Sequence, residues 1–147
     1  MPDYQNGAYS SDDYSFLESI SSNAKITTIH KNTKTIKGIS ANNYAFSMCK
    51  NTIETVIFET GSLLSEISPY TFYQCSKLQQ IDLTPCSHLT NIADHAFYEC
   101  FSLSSIKIPN SITKLGEYSF YQTNLSIFTL PSSVTSIGCP KVCLAQT

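Results

Sequence analysis

Phenylalanine recurs at a nearly fixed interval through most of the chain. Phe46, Phe72, Phe97 and Phe120 are separated by 26, 25 and 23 residues. A small residue precedes each of them, and in three units a cysteine follows three positions later, at Cys49, Cys75 and Cys100. A period of this length is typical of a solenoid, because a unit so short cannot bury its own apolar side chains and must stack on the next unit.

Each unit also contains a short segment in which apolar and polar side chains alternate, as in a half-buried β-strand. The segments are IETVIF from Ile53, LQQIDL from Leu78, LSSIKI from Leu103 and LSIFTL from Leu125. Two apolar residues three positions apart follow each strand, and in the first unit we assign this pair to Ile36 and Ile39. Stacked about 4.8 Å apart, the strands predict a parallel sheet over continuous apolar rows.

The units share the pattern L-x-x-I-x-I-P-x-S-[IV]-T-x-[IL]-G-x-x-[AS]-F-x-x-C, most clearly in residues 92–120 and 130–138. This pattern resembles the BspA-type leucine-rich repeat over about residues 26–138. The resemblance implies an α/β repeat solenoid, a right-handed leucine-rich-repeat coil with one parallel β-sheet face and short helical or irregular convex segments. It also implies surface proteins of bacteria and protozoan parasites that adhere to host cells, matrix proteins or other microbes.

The pattern divides the chain into three parts. Residues 1–25 lack the repeat and form an N-terminal cap, with a short helix after Ser11, or a flexible tail. Residues 26–138 form the solenoid of about four to five units, and residues 139–147 form a degenerate C-terminal repeat or a tail. An uncovered C-terminal end of the solenoid would allow self-association.

Composition narrows the classes of partner. The chain is 41% hydrophobic and 14% charged with a net charge of −2, so it has no positive field for nucleic acid. No apolar stretch is long enough for a membrane span, and the first residues lack the basic and apolar regions of a signal peptide. The resemblance nevertheless favours a cell-surface or secreted protein, with a cytoplasmic protein as the alternative.

The sequence offers little for catalysis. It has no nucleophile elbow, no P-loop and no dinucleotide-binding glycine motif. The cysteines of the repeat share one phase and are predicted to be buried free thiols in a row, with disulfides between turns or a metal site as alternatives. Cys139 and Cys143 could oxidise or bind a metal, but no second pair completes a zinc pattern. We therefore predict a non-enzymatic protein with no catalytic residue, metal or cofactor.

Aromatic residues beside the phenylalanines form the first candidate binding surface. Tyrosine combines an apolar ring with a polar tip, which suits a partner interface but equally suits shielding of the edge of the core. The candidates are Tyr70, His95 and Tyr118, two positions before the phenylalanines, and Tyr73, Tyr98 and Tyr121, one position after them.

The outward side of the predicted sheet is the second candidate surface, since solenoids commonly bind partners there. Its central row is Ile57, Asp82, Lys107 and Thr129, flanked by Thr55, Gln80, Ser105 and Ile127. Asp82 and Lys107 are expected to pair across adjacent strands. We predict a protein-interaction module that binds a host, matrix or other cell-surface protein. An intracellular scaffold, or an incomplete repeat array without independent binding, are the alternatives.

Overall fold

The computed structural model describes residues 8–9, 23–36, 45–126 and 129–138. The predicted helix after Ser11 and the predicted degenerate repeat or tail of residues 139–147 lie outside these ranges. Within them the chain winds into a stack of turns. Each complete turn gives one strand to each of two parallel sheets and then a third segment that returns to the start of the next turn.

In the part of the chain that the structure describes, each sheet has five strands, and all strand pairs are parallel. Sheet A contains, in spatial order, β1 (Ala8–Tyr9), β2 (Ile26–Ile29), β4 (Thr55–Phe58), β6 (Gln80–Asp82) and β8 (Ser105–Lys107). Sheet B contains β3 (Thr35–Ile36), β5 (Glu66–Ile67), β7 (Asn91–Ile92), β9 (Lys114–Leu115) and β10 (Ser136–Ile137).

The register of sheet A confirms the predicted alignment of the strands. Gln80 lies between Thr55 and Ser105, and Asp82 lies opposite Lys107. The predicted strand from Leu125 is not among the described strands. Leu125 is nevertheless buried, and the amide of Asn124 donates to the carbonyl of Leu103 in the preceding turn. In the described part of the chain, sheet A therefore ends at β8.

The prediction of a single sheet was incomplete. The second member of each apolar pair closes a strand of sheet B, at Ile67, Ile92 and Leu115, and each of these side chains is fully buried. Strands of two residues are too short to show an alternation, so sequence periodicity could not separate them from an irregular segment.

The predicted register of the first turn was wrong by three residues. Ile36 lies opposite Ile67, so it occupies the position that we assigned to Ile39, which lies outside the described residues. The buried Thr33 takes the place of the apolar partner three residues earlier. The first turn therefore carries its extra residues between sheet B and Phe46, a connection that can lengthen without changing the stack.

The four phenylalanines form a continuous stack inside the solenoid. Their rings are at most 1% exposed, and successive centroids lie 4.8, 5.0 and 5.4 Å apart with interplanar angles of 18° or less. Leu78, Leu103 and Leu125 pack in the same core. The core is thus a set of rows that run through the stack, each with one member from every turn.

This close spacing explains why the helical convex segments expected of an α/β solenoid are not seen. In the described ranges, the only helix is a single turn of 3-10 helix, Ser47–Cys49. An α-helix with its side chains is about 10 Å wide, roughly twice the 4.8 to 5.4 Å between stacked rings. Helices in consecutive turns would collide at that separation. The third segments are instead built from consecutive hydrogen-bonded turns.

Backbone hydrogen bonds join the third segments into a ladder of their own. Three alternate amides of one turn each donate to a carbonyl of the next turn, and the intervening amides bond within their own turn. The first set runs from Tyr70, Phe72 and Gln74 to Asp94, Ala96 and Tyr98, at 3.3, 2.8 and 2.8 Å. The second set runs from His95, Phe97 and Glu99 to Glu117, Ser119 and Tyr121, at 2.9, 2.8 and 2.8 Å.

The three turns joined by the ladder have left-handed backbone at two positions each. The residues with positive φ are Tyr70, His95 and Tyr118 in one row and Gln74, Glu99 and Gln122 in the other, with φ between 53° and 62°. A residue with a Cβ adopts this conformation at a cost of about 1 to 2 kcal/mol. The regular recurrence of that cost shows that the hydrogen bonds between turns, not local preference, determine the backbone here.

Truncation of a central ring tests the phenylalanine stack. Phe97→Ala should lower the free energy of unfolding by about 3 to 5 kcal/mol, because it opens a cavity against rings on both sides. Phe101→Ala is the matched control, since Phe101 is 53% exposed. We expect that variant to stay within about 0.5 kcal/mol of the wild type in denaturant titrations. Equal effects of the two substitutions would contradict the assigned register.

Glycine substitution tests the left-handed positions. Gln122→Gly should leave the protein as stable as before or more stable by up to about 1 kcal/mol, because glycine adopts positive φ freely. Gln80→Gly, at an exposed position of strand β6, should instead lower stability by about 0.5 to 1 kcal/mol. Thermal melts of both variants measure this difference, and the opposite order would refute the assigned backbone.

Candidate functional site

A depression of about 310 Å³ crosses the outer face of sheet A at strands β4, β6 and β8. Parallel strands place alternate side chains outward, so the rows predicted from the sequence meet on this surface. The depression is lined by six of the predicted residues, Thr55, Ile57, Gln80, Asp82, Ser105 and Lys107. We call these six residues and their surroundings the sheet A face.

A fixed charge pair lies at one side of the sheet A face. The Lys107 ammonium is 3.8 Å from the Asp82 carboxylate, which also accepts hydrogen bonds from the Thr84 amide and hydroxyl at 2.9 and 2.6 Å. Partial burial raises the pKa of Asp82, but the bonds from Thr84 and the charge of Lys107 outweigh it and hold the pKa below its usual value. The carboxylate is therefore charged at neutral pH and held in one orientation.

Aliphatic side chains occupy the other side. Ile57 is 47% exposed, and Ile26, which lies opposite Thr55, is 58% exposed. Sequence reasoning missed Ile26, Thr28 and also Pro85, which lines the depression. Aligning ITTI of strand β2 with TVIF of strand β4 would have found the first two, since Thr28 lies opposite Ile57. The face thus combines exposed apolar groups with a charged pair.

One predicted residue of the central row, Thr129, does not extend this surface. Thr129 is exposed but belongs to no strand and does not line the depression. Ile127 lies outside the described residues. The sheet A face therefore lies on strands β2, β4, β6 and β8.

The predicted aromatic residues stack in two columns on the third side of the solenoid. Tyr73, Tyr98 and Tyr121 have centroids 5.1 and 5.0 Å apart, and Tyr70, His95 and Tyr118 have centroids 5.0 and 5.3 Å apart. Within each turn a ring contact joins the two columns: edge contacts of 5.5 and 5.8 Å for the tyrosine pairs, and a tilted contact of 5.4 Å between His95 and Tyr98. We call these six residues the aromatic array, and every member is half-buried.

Stacking covers both ring faces of the two central members of the aromatic array, Tyr98 and His95. Tyr98 lies between Tyr73 and Tyr121, so both of its faces are occupied and only its outer edge is open to a ligand. Burial, followed by the charge of Glu99, raises the pKa of Tyr98, so its hydroxyl is protonated at neutral pH. These contacts support a shielding role for the array rather than a clamp for flat ligands.

The cysteines of the repeat are buried free thiols, as predicted. Cys49, Cys75 and Cys100 are at most 1% exposed, as is Cys86, and the Cys100 thiol donates to the Phe72 carbonyl at 3.0 Å. Burial raises the pKa of all four, to about 11 for Cys49 and Cys86. A protonated, buried thiol is a poor nucleophile and a poor metal ligand.

The described ranges show no group of histidine, cysteine and acidic side chains arranged to hold a metal ion. They also contain no helix with the length and apolar character of a membrane span. Cys139 and Cys143 lie outside these ranges.

The thiols predict a loss of stability in alkali. Folding raises the pKa of Cys49 and Cys86 from 9.0 to about 11. Their contribution to the free energy of unfolding is therefore complete below pH 9 and is lost as the pH rises towards 11. The free energy of unfolding should fall across that range, and it should fall less steeply in Cys86→Ala. Denaturant titrations at several pH values measure the slope. An unchanged slope in the variant would show that this thiol is not buried as described.

Comparison with known proteins finds similar structures among bacterial repeat proteins. A solved leucine-rich repeat protein from Bacteroides ovatus is 27% identical with a TM-score of 0.65, and the match covers 79% of this chain and 28% of that one. The pneumococcal vaccine antigen PcpA is 25% identical with a TM-score of 0.64, and the match covers 78% of this chain and 26% of the antigen. The chain thus spans little more than a quarter of these solved proteins. No curated protein matches it in sequence.

The family model for the BspA type leucine-rich repeat region matches residues 10–140 in six copies. This range includes every strand from β2 to β10 and all four rings of the phenylalanine stack. The chain therefore belongs to the BspA-type leucine-rich repeat family.

Proposed function

We propose that the protein is a non-enzymatic interaction module that binds another protein through the sheet A face, in adhesion to host cells or matrix. The observation that carries this proposal is the depression across strands β4, β6 and β8, where exposed Ile57 lies beside the paired charges of Asp82 and Lys107. Leucine-rich repeats generally serve protein interactions, and the family is not generally enzymatic.

The composition of the sheet A face suits a protein partner. Protein interfaces combine an apolar centre with a polar rim, and Ile26 and Ile57 supply exposed aliphatic area beside hydrogen-bonding groups on Thr55 and Gln80. Hydrogen bonds between parallel strands hold the backbone that carries these side chains in place before binding. A preorganised surface loses little conformational entropy when it binds, which favours affinity.

The aromatic array suits this role less well. The central ring of each column, Tyr98 or His95, is covered on both faces by neighbouring rings, so a partner would meet only its edge there. We therefore assign binding to the sheet A face, and shielding of the core to the array.

Likeness to PcpA, a pneumococcal vaccine antigen, supports a location at the cell surface. The buried free thiols support a second candidate, an intracellular scaffold, because free cysteines persist most readily in a reducing compartment. Labelling of intact source cells with a membrane-impermeant reagent discriminates between the two. Labelled protein supports the surface module, and protein protected until lysis supports the scaffold.

Substitutions on the sheet A face test the binding proposal against immobilised matrix proteins and intact host cells. Ile57→Ser and Lys107→Ala should each weaken binding about tenfold, which corresponds to about 1.4 kcal/mol. Leu63→Ser and Lys114→Ala are matched controls, because Leu63 is a 40% exposed aliphatic residue outside the depression and Lys114 is an exposed lysine on sheet B.

All four variants should keep the wild-type melting temperature, since each replaces an exposed side chain. Binding that is lost equally in the controls would place the contact elsewhere. Wild-type protein that binds none of the probes would contradict the adhesion proposal.

A further inference from the structure

We propose that Tyr98 is a site of oxidative cross-linking, at which a one-electron oxidant of the peroxidase class joins its ring to that of Tyr73 or Tyr121 in an adjacent turn. The product is a dityrosine within one chain. The proposal rests on the geometry of the aromatic array and is independent of what the sheet A face binds.

Tyr98 is stacked on a tyrosine at each side. The centroid distances are 5.1 Å to Tyr73 and 5.0 Å to Tyr121, with interplanar angles of 10° and 23°. Phenolic coupling joins ring carbons ortho to the hydroxyl, and near-parallel stacking keeps the ring of Tyr98 next to a tyrosine ring on each face. To form the bond, two rings must move from this separation to a covalent carbon–carbon distance, and all three rings are half-buried rather than enclosed in the core.

The neighbouring column provides an internal contrast. His95 stands between Tyr70 and Tyr118, at 5.0 and 5.3 Å, so no two tyrosines of that column are adjacent. The tyrosine pairs between columns meet edge to face, with interplanar angles of 61° and 79°. These pairs lack near-parallel stacking, so coupling should concentrate on the column that contains Tyr98.

The chemistry balances with hydrogen peroxide as the terminal oxidant. Each of two phenols loses one electron and one proton, and together these reduce one peroxide molecule to two water molecules. The two radicals combine by forming one carbon–carbon bond between ortho carbons. Each ortho carbon then releases its hydrogen as a proton while its own phenolic oxygen takes one up, which restores both aromatic rings and both hydroxyl groups. The net change is the loss of two ring hydrogens.

The cross-link would connect consecutive turns outside the core. It closes a loop of 25 residues from Tyr73 to Tyr98, or of 23 residues from Tyr98 to Tyr121. A covalent closure of this kind restricts the unfolded chain far more than the folded one. Oxidation would therefore strengthen the stack rather than damage it.

The test treats dilute full-length protein with a heme peroxidase and hydrogen peroxide and isolates the monomeric fraction. We expect dityrosine fluorescence in the monomer, a mass lower by two hydrogen atoms, and peptide maps that link Tyr98 to Tyr73 or Tyr121. The yield of dityrosine in the monomer should not change with protein concentration. The melting temperature of the cross-linked monomer should rise.

Phenylalanine variants assign the site while keeping the stacked ring. Tyr98→Phe should abolish the intramolecular product, and the matched Tyr118→Phe should retain it. Tyr73→Phe and Tyr121→Phe should each leave only the other pair. The proposal is overturned if Tyr98→Phe still gives the product, if the linked peptides lack Tyr98, or if dityrosine occurs only between chains.

Discussion

Registration of each turn on the one before is the constraint on which the rest of the structure depends. Phe72 and Phe97 contact a ring on both faces, so a turn that slipped by one residue would lose both contacts and expose its apolar row. Hydrogen bonds from alternate amides enforce the same register along the third segments, strongly enough to hold tyrosine and glutamine in left-handed backbone. Ring stacking and backbone pairing thus specify one alignment together.

The sheet A face and the aromatic array differ in which side chains the register brings together. On the sheet A face it aligns unlike side chains, so that Asp82 meets Lys107 and exposed Ile57 lies beside the depression. On the third side it aligns like side chains, so the tyrosines cover one another. Groups of different chemistry on the sheet A face remain accessible to a partner, whereas identical rings on the third side contact one another. This contrast is the physical basis for assigning recognition to sheet A.

Sequence periodicity predicted the parts of the structure that depend on long repeats. The spacing of the phenylalanines gave the core stack, and the alternation in the strand segments gave the Asp82–Lys107 pair. Sheet B was not predicted, because two-residue strands carry no alternation. The first turn was misaligned because buried Thr33 looks polar in sequence. The left-handed positions could not be predicted from the sequence either, because neither tyrosine nor glutamine favours positive φ. Only the hydrogen-bond ladder between turns requires that conformation.

A double-mutant cycle on the phenylalanine stack tests this account most directly. Phe72 and Phe97 are in contact at 5.0 Å, whereas Phe46 and Phe97 are separated by the ring of Phe72. We predict a coupling energy of about 0.5 to 1.5 kcal/mol between Phe72→Leu and Phe97→Leu. Phe46→Leu and Phe97→Leu should be additive within about 0.5 kcal/mol. Additivity in the first pair, or stronger coupling in the second, would contradict the stacked register.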